Sequence, residues 1–202
     1  MQLNLPPRKD RKRLPQVLSV EELQRLFRAM RRPKHRVLLM TTYSAGLRVS
    51  EVVRLQPRDI ESDRMLIRVH QGKGKKDRYT LLSSRLLTEL RAYWKIRRPP
   101  QWLFPGRDLS QPMAVRTAQQ IYMTAKAKAN LQRGAGIHTL RHCFATHLLE
   151  AGVDPRTIQV LMGHRSIQTT MRYLQITRAH LGNVHSPFDL LHFDDQPSLR
   201  VE

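Results

Sequence analysis

Alternation of apolar and polar residues is confined to one short region of this 202-residue chain. Met65 to His70 and Arg78 to Leu82 alternate as half-buried strands do, and between them lies Gln71-Gly72-Lys73-Gly74-Lys75-Lys76-Asp77, a glycine-punctuated basic turn. The pair reads as a β-hairpin. Elsewhere the apolar residues recur at helical spacing. That restricts the chain to a mainly α fold with a small antiparallel β-sheet, an α+β arrangement.

The helical segments carry their own start and stop signals. Ser19-Val20-Glu21-Glu22 is a capping box, and Leu23, Leu26, Phe27 and Met30 then share one face. A second helix is expected over 35–45, after Pro33 and before Gly46, and a third, short one over 48–55, ended by Pro57. Residues 84–96 read as helix closed by Pro99-Pro100, Trp102 to Pro105 as an apolar plug, and 112–130 as a long helix. A helix over 138–152 ends at Gly152, Asp154-Pro155 opens another to Leu161, and Ser166 caps one that carries Tyr173. A last helix is expected from Thr177. This divides the chain into a basic arm at 1–18, one body at 19–183 and a tail at 184–202, apolar at first and then polar.

Thirty-six Lys and Arg face sixteen Asp and Glu, a net charge of +20. An excess of that size on a small domain implies a polyanionic partner, DNA or RNA first. Cys143 is the sole cysteine, so no internal disulfide forms, which suits a reducing cytoplasm. The basic N-terminus is followed by no apolar run of the signal-peptide kind, and no stretch reaches the apolar length that spans a bilayer, so no membrane partner is expected.

The stretch His138 to Gly152, HTLRHCFATHLLEAG, sets a problem, because it places His138 and Arg141 in an otherwise core-like helix. Residues three apart share a helix face, and a His and an Arg aimed at one point make a phosphate clamp at a cleft. Arg48 stands just after Gly46, Lys73 on the hairpin turn, His164 after Gly163, and Tyr173 nine residues later. His142 and His147 are read as packing or surface hydrogen-bonding residues off the clamp face. His138 and His142 have the i, i+4 spacing of zinc sites but lack the Glu of H-E-x-x-H, and Cys143 is read as a small buried residue, so no metal is expected.

Four segments, GLRVSE, GKGKKDR, HTLRHCFATHLLEAG and LMGHRSIQTTMRY, occur in this order. Together, from Ser19 to Gln175, they resemble the tyrosine recombinases, the phage-integrase family, and most nearly its Xer-type and transposon- or integron-associated members. The resemblance implies the catalytic-domain fold of that family. It implies site-specific DNA recombination or integration, through transesterification and a 3′-phosphotyrosyl intermediate, with no metal, ATP or other cofactor. Carried onto this sequence, the catalytic set is Arg48, Lys73, His138, Arg141, His164 and the nucleophile Tyr173, with Glu51 supporting it. In this scheme Arg48, Arg141 and His164 bind the phosphate. Lys73 protonates the leaving oxygen, and His138 takes or positions the tyrosine proton.

The implied partners are double-stranded DNA and further copies of the chain in a homotetramer, with the tail at 184–202 docking on a neighbour. The implied location is a prokaryotic cytoplasm, at the nucleoid. Relatives also carry an N-terminal DNA-clamping domain, whereas this sequence starts in what resembles the connector. A partner that supplies that domain is therefore expected, or else a truncated DNA-binding fragment without autonomous activity. Type IB topoisomerases share the chemistry, but the spacing within LMGHRSIQTTMRY favours the recombinases.

Overall fold

The computed structural model describes residues 16–70, 77–164 and 166–174. The chain enters the fold at Gln16, whose side-chain oxygen accepts from Gly134 N at 3.0 Å, while the Leu18 amide points at Cys143 Sγ at 3.2 Å. Leu18 is fully buried, so the packed body begins ahead of Ser19. Helix α1, Val20–Arg28, starts as its capping box dictates: Ser19 Oγ accepts from Glu22 N and the Glu22 carboxylate accepts from Ser19 N.

Helix α2, Pro33–Ser44, begins two residues earlier than the sequence suggested, because Pro33 occupies its first turn, where no amide is needed. Gly46 stops it at φ +60°, in the left-handed region. Helix α3 is only Val49–Val52 and not 48–55. Arg48 is its extended N-cap, and bonds from Arg54 N to Glu51 O and from Leu55 N to Val52 O tighten the end into 3₁₀ geometry. Pro57 opens a separate 3₁₀ turn, Pro57–Asp59.

The sheet has three strands where the pattern indicated two: β1 Ile60–Glu61, β2 Leu66–Val69 and β3 Arg78–Leu81, antiparallel in the order β1-β2-β3. A two-residue strand has no period to read, so β1 was invisible. The hairpin itself is as expected, with Leu66 opposite Leu81 and Val69 opposite Arg78. Helix α4, Ser84–Arg97, is capped by Ser83, and Arg98 turns left-handed after it. Leu103 and Phe104 form the expected plug, with the Phe104 ring stacked on Tyr93 at 5.9 Å.

Helix α5 is Val115–Lys128, shorter at both ends than 112–130, because Pro112 pairs with Pro105 in an isolated bridge and Asn130 turns to positive φ. Helix α6, His138–Glu150, runs through the core and ends before Gly152, as expected. Helix α7, Pro155–Met162, is capped by Asp154, and α8, Ile167–Leu174, carries Tyr173.

The core lies between α1, α2, α4, α5 and α6, with the sheet on one side, and a smaller cluster joins α6, α7 and α8 through Phe144, Leu149, Ile158, Met162 and Tyr173. The result is the mainly helical fold with a small antiparallel sheet that the sequence indicated. The expected basic arm up to Pro15, the turn with Lys73, the helix from Thr177 and the tail at 184–202 lie outside the described residues. Among the described residues no helix is long and apolar enough to cross a membrane.

Candidate active site

Helix ends from three parts of the chain meet at the site. They are the Gly46 stop of α2 with the Arg48 cap of α3, the C-terminus of α7 at Gly163, and the first turns of α6. Glu51 is their centre. Its carboxylate accepts from Arg48 N and Arg48 Nη1, both at 2.8 Å, and from Arg78 Nη1 and Nη2 at 2.8 and 2.9 Å. Arg141 Nη1 stands 3.8 Å from its second oxygen. Burial pushes the Glu51 carboxyl upward, but the Arg78 fork, the Arg48 amide and Arg141 outweigh it and bring the pKa down to about 2.

Arg141 is 1% exposed. Its Nη1 donates to Gly46 O and its Nη2 to Met162 O, each at 2.6 Å, so the carbonyl ends of α2 and α7 receive the cation as helix dipoles favour. Burial, then Arg48, lower its pKa to about 10, and it stays charged at neutral pH. Arg48, with a quarter of its side chain exposed, reaches Gly163 O through Nη2 at 3.4 Å. Gly163 is left-handed at φ +61°, and a Cβ there would meet Arg78 Cδ at 2.8 Å. The fork of Arg78 therefore passes where only glycine leaves room.

His164 stacks on the Tyr173 ring, with centroids 6.4 Å apart and planes 11° apart, and its Nδ1 pairs with Thr170 Oγ1 at 2.9 Å. Burial, Arg141, Arg48 and Arg78 hold it neutral, with a pKa near about 3. His138, on the exposed side, is pulled below its ordinary value by partial desolvation and by Arg141 and Arg48. Tyr173 is 4% exposed.

Arg48, Glu51, His138, Arg141, His164 and Tyr173 are thus brought together, and Lys73 lies outside the described residues. Two features differ from the sequence reading. His138 and Arg141 do not line an open cleft as a pair, because the His is at the surface and the Arg is beneath it, tied to two carbonyls. His142 is not off the site, because its Nδ1 lies 2.9 Å from Tyr173 Oη. Spacing held the signal: residues 138 and 142 are one turn apart on the same face. Arg78 was also missed. It shares with buried Thr80 the core-facing side of β3, a period-two pattern that marks it as no ordinary surface arginine.

His147 does pack as expected, its Nδ1 2.9 Å from Tyr43 Oη. Cys143 is buried, and burial raises its thiol to about 11. Among the described residues no three His, Cys, Asp or Glu side chains converge on a point that would hold a metal.

Residues 16–180 match the model of the phage integrase family. The chain belongs to that family. The y4qK protein of Sinorhizobium fredii, itself provisionally named an integrase/recombinase, is 48% identical over 187 residues, which are 93% of this chain and 61% of that protein. The tyrosine recombinase XerA of Thermococcus kodakarensis is 38% identical over 181 residues, 88% of this chain and 64% of XerA. This integrase-family chain thus spans less than two thirds of either relative. Its fold superposes on a crystal structure of XerA recombinase with a TM-score of 0.76 at 29% identity, over 89% of this chain and 66% of XerA. It superposes on XerH bound to palindromic difH substrate with a TM-score of 0.74 at 24% identity, over 88% and 54%.

Proposed function

We propose that this chain is the catalytic part of a site-specific recombinase that cuts and rejoins double-stranded DNA, with Tyr173 as the nucleophile. The observation that carries the reading is the gathering of Arg48 and Arg141 on the Glu51 carboxylate, beside His164, whose ring stacks on Tyr173. Tyr173 Oη attacks a phosphodiester, forms a 3′-phosphotyrosyl bond and releases a 5′-hydroxyl; a hydroxyl from a second strand reverses the step. One phosphoester replaces another, so no high-energy donor enters the balance.

Arg48 and Arg141 neutralise the charge that builds on the non-bridging oxygens, a contribution of about 3–4 kcal/mol per well-placed donor. His164, held neutral, donates a further hydrogen bond to the phosphate. Lys73 is the acid for the leaving oxygen. Buried Arg141 and Tyr173 must be uncovered for this, so docking of DNA is coupled to a rearrangement around α8. We assign residues 1–18 to an arm, 19–183 to the catalytic body and 184–202 to a tail that docks on a neighbouring copy, giving a homotetramer on two duplexes in the cytoplasm. XerH has been seen on its difH substrate and lambda integrase on a core site, and DNA is the partner that a net charge of +20 calls for.

The test uses nicked duplexes taken from the DNA that flanks the gene, without metal or ATP. The wild-type chain is expected to give a protease-sensitive covalent adduct on a denaturing gel, and Tyr173→Phe none. Salt-sensitive DNA binding with no adduct from the wild type would refute the reading and leave a DNA-binding fragment. Sedimentation on a two-site duplex tests the tetramer.

A further inference from the structure

His142 has no assigned part in the reaction, yet it touches the nucleophile. Its Nδ1 is 2.9 Å from Tyr173 Oη, and the rings lie 5.7 Å apart, tilted by 49°. The two residues are thirty-one apart in the chain, so the contact is made by the packing of α6 on α8. His138 packs on His142. Its ring stands edge-on to His142, with centroids 4.6 Å apart and planes at 84°.

Among the described residues, the titratable and charged groups that face His142 are His138 and Arg141 on its own helix and Tyr173 on α8. Burial first, then His138 and Arg141, lower its pKa to about 4, so at neutral pH the ring is uncharged. A neutral imidazole has one acceptor nitrogen and one donor; in the tautomer with its proton on Nε2, Nδ1 accepts from the phenol hydroxyl and is positioned for transfer.

Resting on the recombinase reading above, we propose that His142 is a catalytic residue whose Nδ1 receives the Tyr173 proton as Oη attacks phosphorus, and returns it on rejoining. The Oη–H bond breaks as Nδ1–H forms, and the Oη–P bond forms as P–O5′ breaks. The O5′ oxygen takes its proton from a different group, for which Lys73 is the candidate. His138 becomes a positioning residue that fixes the His142 ring.

A base this weak at rest cannot ionise a free phenol. Two changes on DNA binding remove that difficulty. The phosphodiester brings negative charge beside Arg141 and offsets the repulsion that lowers His142. The phenol also becomes acidic as its oxygen bonds to phosphorus, so proton transfer runs with the attack and not before it.

The experiment compares adduct formation by wild type, His142→Asn and Lys73→Ala on ordinary nicked DNA and on DNA with sulfur at the bridging 5′ position, whose thiolate leaves without an acid. Asn keeps an acceptor near the Nδ1 position but cannot take the proton. His142→Asn is expected to melt like the wild type and to form adduct about 100-fold or more slowly on both substrates, whereas Lys73→Ala recovers on the sulfur substrate. In His142→Ala, added imidazole is expected to raise the rate, which a packing role does not allow.

The proposal is overturned if His142→Asn reacts as fast as wild type or faster, which would make His142 a mere latch. Recovery of His142→Asn on the sulfur substrate overturns it too, by placing His142 on the leaving-group side. So does a rate in a folded His142→Ala that imidazole leaves unchanged. Failure of the recombinase reading looks different: wild type then gives no adduct on either substrate.

Discussion

Replacing Glu51 by Gln removes the one negative charge shared by three guanidinium groups. The carboxylate is 6% exposed and takes four hydrogen bonds from Arg48 and Arg78, with Arg141 at 3.8 Å. Its pKa falls from 4.5 to about 2 on folding. That shift corresponds to about 3 kcal/mol at about 1.4 kcal/mol per unit, with the opposing cost of burial already contained in it. Breaking a buried ion pair by removing one partner costs about 3–5 kcal/mol, so two independent routes give the same size.

The folded-state pKa is the depressed one. The stabilisation is therefore fully present above the unfolded value and is lost as pH falls through the folded value, between about pH 5 and pH 2. Urea unfolding of wild type and Glu51→Gln at pH 7 is expected to differ by about 3 kcal/mol, and the difference to shrink progressively below pH 5. Subtracting the variant from wild type at each pH cancels the other carboxylates. A difference under 1 kcal/mol at pH 7, or one that does not change down to pH 3, would refute the hub argument.

Gly46→Ala should destabilise by about 2–4 kcal/mol, because residue 46 is left-handed and an added Cβ would stand 2.3 Å from Phe144 Cδ1. Thermal melting measures this, and adduct formation should fall with it, since Gly46 O holds Arg141. Ser19→Ala removes the α1 cap and should lower stability by about 1 kcal/mol in urea while leaving adduct yield at saturating DNA unchanged. DNA affinity, followed by anisotropy, should fall linearly on a log–log plot against salt. Arg48→Gln should lessen the slope by about 1, and an unchanged slope would remove Arg48 from the phosphate contacts.

Much of the fold was legible because its punctuation is chemical. The Ser19 and Asp154 caps, Pro33, Gly46 and Gly152 each fixed a helix end within a residue or two. What failed was decided by partners distant in sequence. Pro112 left the expected α5 to bridge Pro105, and β1 exists only because β2 lies beside it. The site shows the same division. Ordered motifs gave Arg48, His138, Arg141, His164 and Tyr173. Arg78 stood inside a quoted motif but was masked by its basic neighbours, and His142 was set aside although helical spacing placed it a turn above His138. Neither role can be read without knowing that β3 passes over Glu51 and that α8 lies against α6.

The bond from the Leu18 amide to Cys143 Sγ has a mechanical meaning. The chain reaches the body at Gln16–Leu18 and bears directly on the middle of α6, one residue from His142 and two from Arg141. Gln16 is tied to Gly134 and Leu18 to α6, so the residues that lead into α1 are coupled to the helix of Arg141 and His142 before α1 begins. A displacement of Leu18 would thus be passed as directly to the helix that carries Arg141 and His142 as to α1.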